Sequence, residues 1–236
     1  MATPVAELGR MFGFPERLNL APRWNVAPTQ EVPVLRAAGE GDEPGPHLVP
    51  MRWGLVPFWA KDAGIGSKMI NARADTLAQK PAFREALKRR RAVLPADGFY
   101  EWRLEGGKKM PLYIRRRDGL PLAFAGLWES WKGPKEAPLP QPLLTATIVT
   151  TDANAPLRAL HDRMPVILDP DGWRRWLDPA TPVAEAEALL RPAPDDLLEL
   201  IPVSTRVNSV RNDDAACIAP LTAGEAAGAV GTQRLL

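Results

Sequence analysis

The sequence predicts an α+β fold in a single compact domain: a curved, mostly antiparallel, barrel-like sheet with helices at its periphery. Three observations carry this prediction. Runs rich in β-branched residues are separated by Gly106-Gly107 and Asp118-Gly119, which are hairpin punctuation. Short amphipathic segments follow Thr-Pro or Asp-Pro steps, which start helices. A chain of 236 residues with 45% hydrophobic content can bury one substantial core.

In chain order, Thr3-Pro4 ahead of "VAELGRMF" reads as N-cap and first helical residue, with Gly13 closing the helix. "HLVPMRWGLVP" (47–57) reads as a strand, "INARAD" (70–75) as an extended segment and "PAFREALKRRR" (81–91) as a helix with cations at its C-terminal end, where the helix dipole favours them. "AVLPADGFYEWRL" (92–104), "MPLYIRRR" (110–117) and "LPLAFAGLW" (120–128) then form an antiparallel meander. "LLTATIVTT" (143–151) and "MPVIL" (164–168) add strands. Asp169-Pro170 and Thr181-Pro182 start two further short helices, "DGWRRWL" and "VAEAEALL". The proline-rich stretch 136–142 is short enough to be a loop, and residues 222–236 are expected to form a flexible tail.

Several function classes fall away on composition. The N-terminus has no basic lead before a long apolar run, and no window approaches about 18 uninterrupted apolar residues. A cytoplasmic protein without a membrane segment is the expectation. One cysteine, Cys217, excludes an internal disulfide framework, and with His47 and His161 it cannot make an ordinary Cys/His zinc site. No metal and no cofactor are therefore expected. "GIGSK" (64–68) lacks the spacing of a phosphate-binding loop, and no G-x-S-x-G elbow makes a serine the nucleophile.

The formal net charge of +2 is unevenly spread. Residues 84–117 hold eleven Lys/Arg against four Asp/Glu, and residues 178–199 hold six acids against one Arg. The basic stretch is either the solvated face of a helix and a strand, or a groove for an anion. Trp53, Trp59 and Trp102 in the same half favour the second, because cationic grooves with aromatic platforms suit single-stranded nucleic acid.

Three places carry candidate chemistry. In "FYEWR", strand alternation sets Glu101 on the face opposite Tyr100 and Trp102. Its carboxylate is either solvated or, inside the curve of the sheet, desolvated and raised in pKa as a general acid requires. In "INARAD", Asn71 and Arg73 point to one face of an extended segment, which suits a phosphate and a neighbouring polar group, or else they form a turn with a surface arginine. In "HDRMPVIL", His161 either caps a strand or works as an acid/base near neutral pH.

Taken together, "RWNVAPTQ" (23–30), "RWGLVPFWAKD" (52–62), "INARADT" (70–76), "PAFR" (81–84), "LPADGFYEW" (94–102), "AFAGLWE" (123–129), "TIVTTDAN" (147–154), "HDRMPVIL" (161–168) and "VNSVRNDD" (207–214) resemble, in this order, the SOS-response-associated peptidase family of abasic-site processing proteins. The resemblance covers nearly the whole chain. It implies a mostly β fold with a basic groove for single-stranded DNA containing abasic sites, in a protein that acts as a cytoplasmic, nucleoid-associated monomer. It also implies a Schiff base between an N-terminal amine and the abasic-site aldehyde, closed to a thiazolidine by the thiol of an N-terminal cysteine. By the same resemblance Asn71, Glu101 and His161 match active-site positions, and Arg73, Arg163, Trp59, Trp102 and Thr150 match the DNA groove. His161 would move protons during sugar ring opening, while Glu101 would serve Schiff-base formation and removal of the initiator Met.

Members of the family open with Met-Cys-Gly-Arg, whereas this sequence begins Met1-Ala2 ahead of the first helix. The expectation is a native start several residues upstream. The rivals are a shortened paralogue that binds single-stranded DNA without durable crosslinking, and a small peptide hydrolase using Glu101 and His161.

Overall fold

The computed structural model describes residues 1–16 and 18–222, so the expected tail lies outside the described residues from 223 onward. Among the described residues, ten strands form two sheets. The larger comprises β1 (Glu31–Ala37), β2 (Pro46–Trp53), β3 (Asn71–Arg73), β4 (Arg91–Ala96), β7 (Leu122–Trp131), β8 (Leu143–Asp152) and β9 (Arg163–Pro165). Its strands run β2-β1-β4-β7-β8-β3, with β9 also paired to β8. The sheet curls until Arg52 and Trp53 of β2 pair in parallel with Thr145 and Ala146 of β8, which closes a ring. The smaller sheet runs β10-β6-β5, from β5 (Phe99–Glu105), β6 (Lys108–Arg116) and β10 (Leu198–Pro202). The α+β, barrel-like prediction holds.

One face of the large sheet is covered by α1 (Val5–Phe12), α2 (Arg84–Arg89) and α4 (Pro170–Leu177), which bury Leu8, Phe12, Leu87 and Trp176 against Leu35, Leu48, Val93 and Leu127. The opposite face packs on the small sheet through Val34, Met51, Phe124, Ile114 and Leu198. Phe99 meets Phe124 edge-on across this second core, with ring centroids 5.8 Å apart. At one end of the large sheet β8 carries both β3 and β9, while β5 is an edge strand of the small sheet.

Two expectations fail on topology. "AVLPADGFYEWRL" is two strands, because the chain leaves the large sheet at Asp97-Gly98. A Cβ on Gly98 would lie 2.5 Å from the Ile114 carbonyl oxygen, so only glycine passes that point. The meander holds only in its first hairpin, where β5 and β6 pair antiparallel across Gly106-Gly107. Asp118-Gly119 turns the chain, with Gly119 at φ +74°, but hands it back to the large sheet. Both edges of β6 are already taken by β5 and β10.

Of the three helix-start signals, only Asp169 caps with its side chain, accepting the Gly172 N–H at 2.6 Å. Thr3 instead donates its hydroxyl to Asp97 at 2.6 Å, and the helix starts after Pro4. After Thr181, α5 (Val183–Glu187) likewise starts behind Pro182 without a side-chain cap.

The basic runs mostly serve the scaffold. Arg91 is buried and donates to the carbonyls of Trp176 (2.6 Å), Asp178 (2.6 Å), Thr181 (3.1 Å) and Leu87 (3.2 Å), satisfying the frayed end of α4. Arg90 pairs with buried Glu129 at 2.7 Å, Arg115 with Glu199 at 2.6 Å and Arg116 with Asp118 at 2.5 Å. Among the described residues, no helix is long and apolar enough to cross a membrane, and no group of three or more His, Cys, Asp or Glu is gathered to hold a metal.

Candidate active site

The large sheet contributes one wall. Residues paired across neighbouring strands share a face, and the register aligns Asn71 with Ile148, Arg73 with Thr150, Thr150 with Pro165, and Asp152 with Arg163. Asn71, Arg73, Thr150 and Arg163 therefore stand together on the face that carries the second core, beyond its edge. The predicted pairing of Asn71 and Arg73 on one face holds. Trp53 supports it from behind, since its indole N–H donates to the Ile70 carbonyl at 2.9 Å, one residue before Asn71.

The small sheet contributes the other wall. Glu101 follows Phe99 by two residues on β5 and so lies on the inward face, opposite Tyr100 and Trp102 as alternation predicts. Burial raises the Glu101 carboxyl above its ordinary range, and the charge of His161 draws it partly back. The two side chains sense each other although 60 residues separate them in sequence. Glu101 is partly buried, between the fully solvated and fully desolvated alternatives.

His161 lies just past α3 (Ala155–Arg158), whose N-cap Asn154 accepts the Leu157 N–H at 3.3 Å. The imidazole is exposed. Its Nδ1 accepts the Arg163 N–H at 2.9 Å, and the Asp162 carboxylate lies 3.2 Å from the same atom. Nε2 has no hydrogen-bond partner among the described residues. The strand-cap alternative for this residue is observed through Nδ1.

The arginines are engaged. Arg73 grips Asp75 along the Nε–Nη2 edge of its guanidinium, Nε to Oδ1 at 3.1 Å and Nη2 to Oδ2 at 2.7 Å. Arg163 donates to the Thr150 carbonyl at 2.5 Å and to Asp152 at 3.0 Å, with Asp75 3.9 Å away, and its buried Nε lacks a partner among the described residues. Thr150 is buried and meets the site through that carbonyl.

Of the eight tryptophans, Trp59 and Trp102 are the exposed ones, at 49% and 36%. Trp102 lies on the outer face of β5, with its indole N–H on Asn208 Oδ1 at 2.8 Å. Trp59 sits on the turn after β2. Close backbone contact between Gly54, at φ +127°, and Gly66 fixes that turn, as does the Trp131 indole bond to the Ala60 carbonyl at 2.8 Å. No contact joins Trp59 to Asn71, Glu101 or His161 among the described residues. Cys217 is buried, with its thiol 3.4 Å from the Asn212 carbonyl. The Ala2 N–H is held by the Asp97 carboxylate.

Sequence reasoning missed Asp75 and Asp152 as arginine partners and Asn208 as the anchor of Trp102. Asp75 lies within "INARAD", and an acid two residues from an arginine on an extended segment was the available signal.

The model of the SOS response associated peptidase (SRAP) family matches residues 1–210. The chain is 44% identical over 194 residues to abasic site processing protein YoqW of Bacillus subtilis (strain 168), covering 81% of this chain and 83% of that protein. It is 38% identical over 231 residues to abasic site processing protein HMCES of Gallus gallus, covering 86% of this chain and 67% of that one. Among solved structures, a protein from Bacteroides thetaiotaomicron superposes with a TM-score of 0.82 at 26% identity, covering 94% of this chain and 98% of that chain. The chain belongs to the SOS response associated peptidase family.

Proposed function

We propose that this protein binds single-stranded DNA and processes abasic sites through their ring-opened aldehyde, as part of a DNA-damage response. The observation that carries this reading is the gathering of Asn71, Arg73 and Arg163 on one face of neighbouring strands, joined by the Glu101 carboxyl, which burial raises and the charge of His161 lowers. The names of its relatives, abasic site processing proteins, supply the substrate class.

The strand lies along the open edge between the two sheets. Arg73 and Arg163 hold backbone phosphates, with the Thr150 strand supporting Arg163. Trp102 and Trp59 offer faces for unpaired bases. Asn71 positions the sugar remnant by hydrogen bonding.

His161 moves protons through Nε2 as the hemiacetal opens, taking one from the C1′ hydroxyl as the ring oxygen gains one. The N-terminal amine then adds to the C1′ aldehyde. Glu101, whose neutral form burial favours, gives a proton to the carbinolamine hydroxyl, which leaves as water, and the carboxylate takes a proton back from the iminium nitrogen to leave the imine. Where the N-terminal residue is a cysteine, its thiol sulfur adds to the imine carbon and its proton passes to the nitrogen, closing a thiazolidine. Glu101 in the same position serves removal of an initiator Met. Cys217 cannot supply that thiol, being buried and without an α-amine.

The test is to mix the protein with an oligonucleotide carrying one abasic site, reduce with borohydride and resolve covalent complexes under denaturing conditions. Binding that weakens steeply with salt is expected, because phosphate contacts release counterions. Arg73→Ala should weaken binding and flatten its salt dependence, whereas Glu101→Gln should spare binding and lower trapping. No binding at low salt, or equal loss of binding in both variants, overturns the proposal.

A further inference from the structure

The face assigned to DNA phosphates is not electropositive as it stands. Arg73 and Arg163 share it with Asp75, Asp152 and Asp162, and all three carboxylates are at least half exposed or nearly so, at 49%, 80% and 85% of their side chains. Asp75 is the central one. It takes up the Nε–Nη2 edge of the Arg73 guanidinium and reaches to within 3.9 Å of Arg163. A carboxylate seated in that fork has the bidentate geometry a phosphate would use.

We infer that Asp75 is an internal competitor for the DNA backbone, a carboxylate that holds Arg73 until a phosphate displaces it and so sets how weakly intact single-stranded DNA is bound. The inference rests on the DNA-binding reading above. Its chemistry is an exchange of one anion for another on the same guanidinium, with no bond made or broken. Because the Arg73–Asp75 pair is exposed, it contributes little to stability, and its displacement costs correspondingly little. What it does cost comes off every encounter with DNA, damaged or not. Retention on the strand then depends more on the aldehyde chemistry at Glu101 and His161 than on phosphate contacts alone.

The experiment measures binding of an undamaged oligonucleotide by Asp75→Asn, Arg73→Ala, the Arg73→Ala/Asp75→Asn double variant and the parent protein across a salt series. Asp75→Asn keeps the size of the side chain and removes its charge. It should tighten binding roughly three- to tenfold at low salt, while the slope of log affinity against log salt stays close to the parent's, because the same Arg73–phosphate contact forms in both complexes. The double variant should bind like Arg73→Ala alone, because the gain passes through Arg73. Discrimination for an abasic-site oligonucleotide over the undamaged one should narrow in Asp75→Asn. Unchanged or weaker binding by Asp75→Asn overturns the inference and makes Asp75 a positioning residue for Arg73. If instead Arg73→Ala binds as well as the parent protein, the DNA-binding reading itself fails, whatever Asp75→Asn does.

Discussion

Phe99 of the small sheet meets Phe124 of the large sheet edge-on at 5.8 Å, and Glu101 stands two residues beyond that contact on the same face of β5. The ring contact anchors the strand that carries Glu101 against the large sheet. Phe99→Ala should destabilise the protein by about 2–4 kcal/mol, since it opens a cavity between the sheets. Phe99→Leu should cost less and yet slow abasic-site trapping, because Glu101 shifts. Denaturant unfolding together with borohydride trapping checks both. Trapping that keeps its parent rate in a Phe99→Leu protein with looser packing would uncouple the two.

Glu101 is predicted to trade stability for chemistry. Burial raises its carboxyl in the folded protein above the ordinary 4.5. A raised folded value means the folded state binds the proton more tightly, so stability falls as pH climbs from the unfolded value through the folded one. Glu101→Gln removes that loss. Its Tm should match the parent below pH 4.5, exceed it as pH rises through the raised folded value and keep a constant lead above that, while aldehyde trapping drops by roughly 10²- to 10⁴-fold. A variant less stable than the parent at about pH 8 would contradict the sign.

How much of this was legible depends on which physical signal each residue carries. Strand alternation alone put Glu101 opposite Tyr100 and Trp102, and set Asn71 beside Arg73 on one face. Turn chemistry marked Asp118-Gly119 as a bend but does not encode which sheet receives the next strand, so a meander was expected where two sheets exist. β10 escaped notice because its acid, Glu199, belongs to a run that looks solvated, and only the pairing with Arg115 explains it. β1 was hidden by Pro33, which lies opposite Pro50. Charge counting failed most clearly at Arg90 and Arg91, because a basic run does not reveal that carbonyls or a buried Glu129 await it.

Asn25 is predicted to govern the loop that holds Trp102. Its buried side-chain amide donates to the carbonyls of Val207 (3.0 Å), Ser209 (3.1 Å) and Asn212 (3.0 Å), and within that loop Asn208 grips the Trp102 indole. Asn25→Ala should cost about 2–3 kcal/mol by leaving buried carbonyls unpaired. Asn25→Asp should cost more, since a carboxylate places charge and lone pairs against those oxygens. Both should weaken single-stranded DNA binding through Trp102. An Asn25→Asp protein as stable as Asn25→Ala would rule out this donor role.

His47 supplies the last prediction, remote from the site. Its Nε2 faces the Glu43 carbonyl at 2.7 Å and its Nδ1 bonds the Glu16 carboxylate, so both nitrogens face acceptors and the imidazolium is the form that satisfies them. The Glu43 carbonyl and the Glu16 carboxylate, with Asp42 nearby, raise His47 above its ordinary 6.5 against the opposing effect of burial. Stability from this contact is fully present below pH 6.5 and is lost as pH rises through the higher folded value. His47→Gln should cost about 1–3 kcal/mol at low pH and progressively less above neutrality. Chemical denaturation of the two proteins along a pH series tests this: their unfolding free energies should converge with rising pH, and a gap that stays constant or widens would show that His47 folds uncharged.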